Sequence, residues 1–449
     1  MATQLNVREF IDEQPLSGFQ KWIIALCLLV VIVDGLDVAV MGFIAPSLKE
    51  QWGIGNSDLA PVISAALFGL TIGAMVAGPL ADKFGRKKIL LICVWGFGLF
   101  TLAGAMADSV SHLVVLRFIA GLFMGGVMPQ CVTLATEYSP KRITSFLITV
   151  VICGFSLGAA MGGFLASWLI PAFGWQSMLV VAGVIPCLLA VVLTFKLPES
   201  TGFMILKQQP TAKIRAYIEK IATEPLPQDV QFVLPAAPAK ADKPMQTVLN
   251  SHYLIGTLCL WGCYFFGLFA VYLLGSWLPL ITKEAGFTTA ESSIIAAVFQ
   301  LGGPLGCITV GYLMDKFGNH RVLAVCFVGV AASLAAIVMA SGSFALFCVV
   351  CFLIGATLNG GNTGLNALSS VFYPVSARAT GNSWMHGVGR VGAILSAFVG
   401  AHLLNLGWHI DRIFLMLMIP ALLVTLCIVI KGLRYGKTQE QAQLQNKTV

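Results

Sequence analysis

Charge is what this chain has least of. Only 10% of its 449 residues are Asp, Glu, Lys or Arg, while 57% are hydrophobic. A soluble globular chain carries about 25% charged residues. The sequence also lacks zinc-ligand spacing, a G-x-S-x-G elbow, P-loop spacing and any polar stretch long enough for a large soluble domain. These absences argue against an enzyme and leave no residues to nominate for a metal or a cofactor. A cleavable signal peptide is not expected. The first 20 residues are polar, and the first apolar run is long enough to span a bilayer.

What is present is apolar sequence in long blocks. A helix needs roughly 20 apolar residues to cross the hydrocarbon core. Twelve such runs occur, at 22–46, 59–81, 89–107, 111–136, 143–170, 175–195, 253–280, 290–313, 321–340, 344–370, 380–405 and 411–432. Any one could be a buried core helix, but twelve in series cannot all be buried in a soluble core. The expected fold class is therefore an all-α membrane protein with twelve transmembrane helices. With the amino terminus inside, only Lys49, Lys283 and Arg412 of the 27 Lys and Arg fall outside. Arg117 and Arg390 lie within runs, and the rest fall in inner loops and tails. This positive-inside bias predicts both termini in the cytoplasm. The basic balance therefore reads as orientation, with the lipid bilayer as partner and no role for nucleic acid. The twelve cysteines, including the C-x-x-C of Cys348 and Cys351, sit mostly in or near the runs and read as small packing residues.

The runs divide six and six. The expected domains are a cytoplasmic segment (1–21), a first bundle (22–197), a linker (198–250) with a short amphipathic helix near 211–222, a second bundle (251–434) and a tail (435–449). The halves echo each other. GPLADKFGRKK (78–88) returns as GYLMDKFGNHR (311–321) at an offset of 233, and GLFMGGVMP from Gly121 returns as GATLNGGNTG from Gly355 at 234. Repeats at matching offsets indicate a duplicated six-helix unit. Such repeats predict a binding site near mid-membrane where the halves meet. On the paired loops, Arg117 followed by Gly121, the Gly-rich 154–163 and LPES (197–200), the chain resembles the major facilitator superfamily. DGLDVAVMGFIAPSL (34–48), SWLP (276–279), FYP (372–374), RATGNSWMHGVGRVGAI (378–394) and NLGW (405–408) make it similar to the aromatic acid:proton symporters, specifically the 4-hydroxybenzoate/protocatechuate permeases. The resemblance implies import of a small aromatic carboxylate with protons across a bacterial inner membrane. It also implies that the acidic pair in the first helix and the Arg in the eleventh are important.

The few charges inside the runs carry the chemistry. An ionisable group at a helix centre costs roughly 2.5–3.5 kcal/mol on insertion scales, so it needs a reason to be there. Asp34 and Asp37 stand i, i+3 on one face, near the middle of the first run. Two carboxylates in a low dielectric disfavour double ionisation, which suits a proton-coupling pair. The alternative is a structural ion pair with Arg117. Arg117 lies at a depth compatible with Asp37, either as a coupling switch or as an anchor between helices. Arg390 is near mid-membrane, with His386 and Asn382 on its face. Its planar fork matches a ligand carboxylate; otherwise it would pair with Asp34 or Asp37. Asn359, Asn362 and Asn366 form a polar stripe that could bind ligand or glue helices, Asn366 being the least suited to ligand. Tyr264 and Trp384 are the first choices to stack on an aromatic ring, ahead of Trp261, Phe265 and Phe299. At the inner face, Asp82, Arg86, Glu137, Arg142 and Asp315 read as gating charges. The expected mechanism is proton symport by alternating access, in a protein read as a monomer. A facilitator or exporter without proton coupling and a membrane sensor for aromatic acids are the alternatives.

Overall fold

The computed structural model describes residues 3–224, 226, 230–234, 244–340 and 343–447. In chain order it begins with β1 (Thr3–Asn6) and α1 (Val7–Glu13), followed by α2 (Gly18–Trp52), α3 (Asn56–Phe84), α4 (Arg86–Gly104), α5 (Val110–Tyr138), α6 (Lys141–Phe173) and α7 (Gln176–Lys196). Then come α8 (Thr201–Leu206), α9 (Thr211–Ile218), β2 (Val230–Val233) and α10 (Pro244–Val248). The remainder is α11 (Leu254–Glu284), α12 (Thr289–Phe317), α13 (Asn319–Ala340), α14 (Phe344–Phe372), α15 (Val375–Asn405) and α16 (Ile410–Lys447). Twelve of these helices, α2–α7 and α11–α16, are long and apolar enough to cross a membrane. Large apolar side chains such as Met75, Phe195 and Val325 are left exposed on them, which suits a lipid solvent.

Most spanning helices outrun the apolar blocks that nominate them. The block at 22–46 lies inside α2, Gly18–Trp52. A helix satisfies its own backbone hydrogen bonds, so it can continue into the interface while side chains such as Lys49 reach for water. Outside the spanning helices, the expected linker helix is α9, seated by Ile214 and Ile218 one turn apart. Part of the expected linker at 235–243 lies outside the described residues. The amino-terminal segment carries more structure than its polarity suggests. Its strand β1 pairs in parallel with β2 of the linker, from Thr3 opposite Val230 to Asn6 opposite Val233. Val7 and Ile11 of α1 are buried.

The sequence repeat is also a packing repeat. A Cβ built at Gly73 of α3 would fall 1.9 Å from the Leu122 carbonyl oxygen of α5, and one built at Gly306 of α12 would fall 1.9 Å from that of Ala356 in α14. Both positions need glycine because the backbones touch there. The tight inner loops repeat too: Gly85 has φ +109° and Gly318 has φ +88°, a region that disfavours other residues.

By contacts the chain separates into two compact units. One holds residues 1–38, 68–158 and 179–237; the other holds 39–67, 159–178 and 238–449. The borders cut through α2, α3 and α6 and fall near the start of α7, as well as within the linker. In the first unit, a core of Leu26, Val30, Phe97, Met124 and Val127 is buried, and α4 packs on α5. In the second, α12 packs on α14, α11 on α15 and α13 on α16. The second unit includes the end of α2 because Gly42 sits against the Ser276 carbonyl of α11. It includes the end of α6 because Gly163 sits against Ala297 of α12.

Candidate functional site

The first unit holds a buried charge cluster on α2. Gly35, inside the DGLD run, brings α2 against α6. A Cβ there would fall 2.0 Å from the Phe155 carbonyl oxygen. This close approach fixes the rotation of α2, and with it both acids. Asp37 and Arg117 are each fully buried. One guanidinium nitrogen of Arg117 donates to Asp37 Oδ1 and Oδ2 at 3.2 and 3.1 Å and to Thr101 Oγ1 at 3.3 Å; the other donates to the Asp37 carbonyl at 3.0 Å. The proximity expected from depth alone is thus a buried ion pair. Asp34 is equally buried, but among the described residues no cation pairs with it and its Oδ1 has no hydrogen-bond partner. Cys93, Cys131 and Asp37 are within electrostatic range of it. The two acids three residues apart therefore have different environments, one compensated and one bare. A bare carboxylate in low dielectric is costly as an anion and much less so as a neutral acid. That asymmetry suits a group that cycles one proton.

The second unit holds the complementary charge. Arg390 of α15 is half-buried, and among the described residues no acid pairs with it. Tyr264 and Tyr272 of α11 are its electrostatic neighbours. The Tyr264 ring meets the His386 ring edge-on at 4.7 Å between centroids, and its hydroxyl accepts a hydrogen bond from Asn366 Nδ2 at 3.0 Å. His386 itself is exposed. Gly389 makes room for Tyr264, since a Cβ there would fall 2.4 Å from the ring. Asn366, the member of the stripe least suited by sequence, is thus the one that reaches the tyrosine. Asn359 and Asn362 turn their amides back to the carbonyls of Gly355 and Leu358. The Oδ1 of Asn362 is left buried without a partner. Asn382 bonds Ser369 and Ser370 of α14. Trp384 stacks on Trp261 with centroids 5.9 Å apart, its own ring half exposed.

The inner-loop charges make mostly local contacts. Asp82 and Arg86 bridge across Gly85 at 2.7 Å. Glu137 accepts from Ser200 Oγ and from the Gly202 amide, so it caps α8. Arg142 donates to the Gln14 carbonyl. Asp315 is exposed. Glu199 of the LPES motif accepts from the Lys87 amide at 2.9 Å, which caps α4. Sequence reasoning misses that role, and it misses Tyr272, although two tyrosines two turns apart on one run could have signalled the latter. No group of three or more His, Cys, Asp or Glu among the described residues could hold a metal ion.

Residues 27–225 and 260–447 match the family model of the Major Facilitator Superfamily. The chain is 44% identical over 434 residues to the 4-hydroxybenzoate transporter PcaK of Pseudomonas putida, covering 96% of this chain and 97% of that one. It is 40% identical to the gallate transporter of Pseudomonas putida, over 95% of each chain. Among solved structures, the D-xylose-proton symporter superposes with a TM-score of 0.69 at 16% identity, over 91% of this chain and 96% of that chain. This last likeness concerns the fold: twelve spanning helices in two six-helix bundles.

Proposed function

The chain belongs to the Major Facilitator Superfamily and is a multi-pass membrane transporter, not an enzyme; from that premise we propose that it imports a small aromatic carboxylate of the 4-hydroxybenzoate class together with protons, by alternating access. The observation that carries this reading is Arg390. A half-buried guanidinium inside a spanning helix, with no acid paired to it among the described residues, needs an anion from elsewhere. A carboxylate ligand would supply two oxygens in the plane of the fork. Tyr264 and His386 give the ring of such a ligand aromatic edges to meet, Asn366 bonds the Tyr264 hydroxyl, and Asn359, Asn362 and Trp384 are the further candidates for polar and aromatic contacts, the two asparagines once their amides leave the Gly355 and Leu358 carbonyls. The relatives that transport 4-hydroxybenzoate and gallate support the same substrate class.

The proton belongs at Asp34 and Asp37. Protonation of Asp34 removes an uncompensated buried charge, while Asp37 stays paired with Arg117 until the cycle parts them. Loading both ligands neutralises charge in each unit and so lowers the cost of excluding water. Asp82, Arg86, Glu137, Arg142 and Asp315 act at the inner face, where capping and local pairs hold the short loops in place. Both termini lie in the cytoplasm, as the distribution of Lys and Arg supports, and the membrane is the bacterial inner membrane.

Uptake of labelled ring acids by cells expressing the chain tests the proposal. Competition among 4-hydroxybenzoate, protocatechuate, vanillate and benzoate ranks the substrates, and an uncoupler abolishes accumulation. Accumulation that survives the uncoupler would remove the proton from the mechanism. A monoanion carried with one proton moves no net charge, so only the pH gradient would drive it. With two protons, membrane potential adds about 2.3 kcal/mol per charge per 100 mV.

A further inference from the structure

Two of the three basic residues expected outside the membrane are engaged in a reciprocal arrangement that the transport reading leaves unused. The last turn of α2 carries Lys49-Glu50 and that of α11 carries Lys283-Glu284, which are the same dipeptide at equivalent places in the repeat, 234 residues apart. Each lysine bonds the other helix's glutamate. Lys49 Nζ donates to Glu284 Oε1 at 2.5 Å, and Lys283 Nζ donates to Glu50 Oε1 at 2.9 Å. All four residues belong to the second unit. Two turns down the same helices the backbones meet: a Cβ on Gly42 would fall 2.7 Å from the Ser276 carbonyl oxygen. Nearby, Asn405 of α15 donates to Ser57 Oγ of α3 at 2.7 Å.

We infer that this reciprocal Lys–Glu pair of pairs is the latch that holds the outer mouth closed, with the Gly42–Ser276 approach as the seal beneath it. The inference rests on the proposed orientation and on alternating access. Its geometry fits a contact that must break on every cycle. The four side chains are 22–70% exposed, so water and salt screen them. Exposed pairs of this kind shift an equilibrium by about 1.5- to 5-fold each, enough to bias a mouth but too little to jam it. The near-symmetry has a second consequence. Reversing all four charges at once preserves both pairs, whereas reversing one lysine places an acid against an acid.

The test reads the seal directly. Ser276→Cys, half-buried beside Gly42, is labelled in intact cells with a membrane-impermeant maleimide, and the signal of the parent chain with its native thiols is subtracted. Lys49→Glu or Lys283→Glu is added, then both together, then the fourfold reversal Lys49→Glu, Glu50→Lys, Lys283→Glu, Glu284→Lys. We expect labelling to rise about two- to fivefold with either lysine reversed and further with both, and to return to the starting rate in the fourfold reversal. Uptake follows the opposite order wherever closure limits it. Labelling that is unchanged by the lysine reversals overturns the latch. So does a fourfold reversal that labels as fast as the double, because added charge and not the pairing would then be the cause. Labelling confined to inverted vesicles overturns the orientation, which is a separate failure from that of the latch.

Discussion

The buried pair of Asp37 and Arg117 has two candidate jobs, coupling and anchoring, and one mutant cycle separates them. Arg117→Met keeps the bulk of the side chain and removes its charge. Four hydrogen bonds go with it: two to the Asp37 carboxylate, one to the Asp37 carbonyl and one to Thr101. Asp37 is then a fully buried anion without a cation. Breaking a buried pair by removing one partner costs about 3–5 kcal/mol. Asp37→Asn leaves Arg117 in the mirror situation at a similar cost. The double variant Arg117→Met with Asp37→Asn removes both charges and leaves only ordinary polar losses, about 1–2 kcal/mol. The coupling energy is therefore several kcal/mol and favours the double over either single. Heating a membrane protein in detergent reads an unfolding rate more than an equilibrium. The assay is therefore the rank order of inactivation half-lives at one temperature, with labelled 4-hydroxybenzoate uptake measured beside it. The double should outlast both singles and still fail to concentrate substrate. A double as short-lived as the two singles combined would refute the pair as an energetic unit. A double that concentrates substrate normally would show that the pair is an anchor only.

Other outcomes follow from the same geometry. Arg390→Ala should raise KM for uptake roughly tenfold to hundredfold, the worth of a charged hydrogen-bonded contact, and Arg390→Lys should recover part of it by restoring charge without the fork; an unchanged KM in both would put the carboxylate elsewhere. Asp34→Asn, which mimics the neutral acid, should still exchange labelled for unlabelled substrate across the membrane but no longer accumulate it against a gradient or respond to external pH; retained pH-driven accumulation would exclude Asp34 as the proton carrier. Gly73→Ala and Gly306→Ala each force a methyl to within 1.9 Å of a carbonyl oxygen and should destabilise by a similar 1–3 kcal/mol; shortened half-lives for only one of them would break the packing equivalence of the two halves.

The class of fold was legible before any coordinates, because apolar length is written locally: a block of twenty hydrophobic residues needs no partner to declare itself a span. The sequence also singled out the charges that lie inside the spans. In a chain this poor in charge, Asp34, Asp37, Arg117 and Arg390 stand out against apolar neighbours before any geometry is known. The repeat was legible for the same reason, since glycines at one offset record backbone contacts at equivalent places. Tertiary structure alone decided the pairings. Asp34 and Asp37 are about 60° apart around one helix and at similar depth, so only the approach of α2 to α6 at Gly35 turns Asp37 toward Arg117 and leaves Asp34 bare. Only the packing of α11 on α14 selects Asn366 over Asn359 and Asn362 as the partner of Tyr264. The lysines at the outer ends read as ordinary exposed charges in the sequence, because a salt bridge is set by where two distant helix ends meet, which no local pattern records.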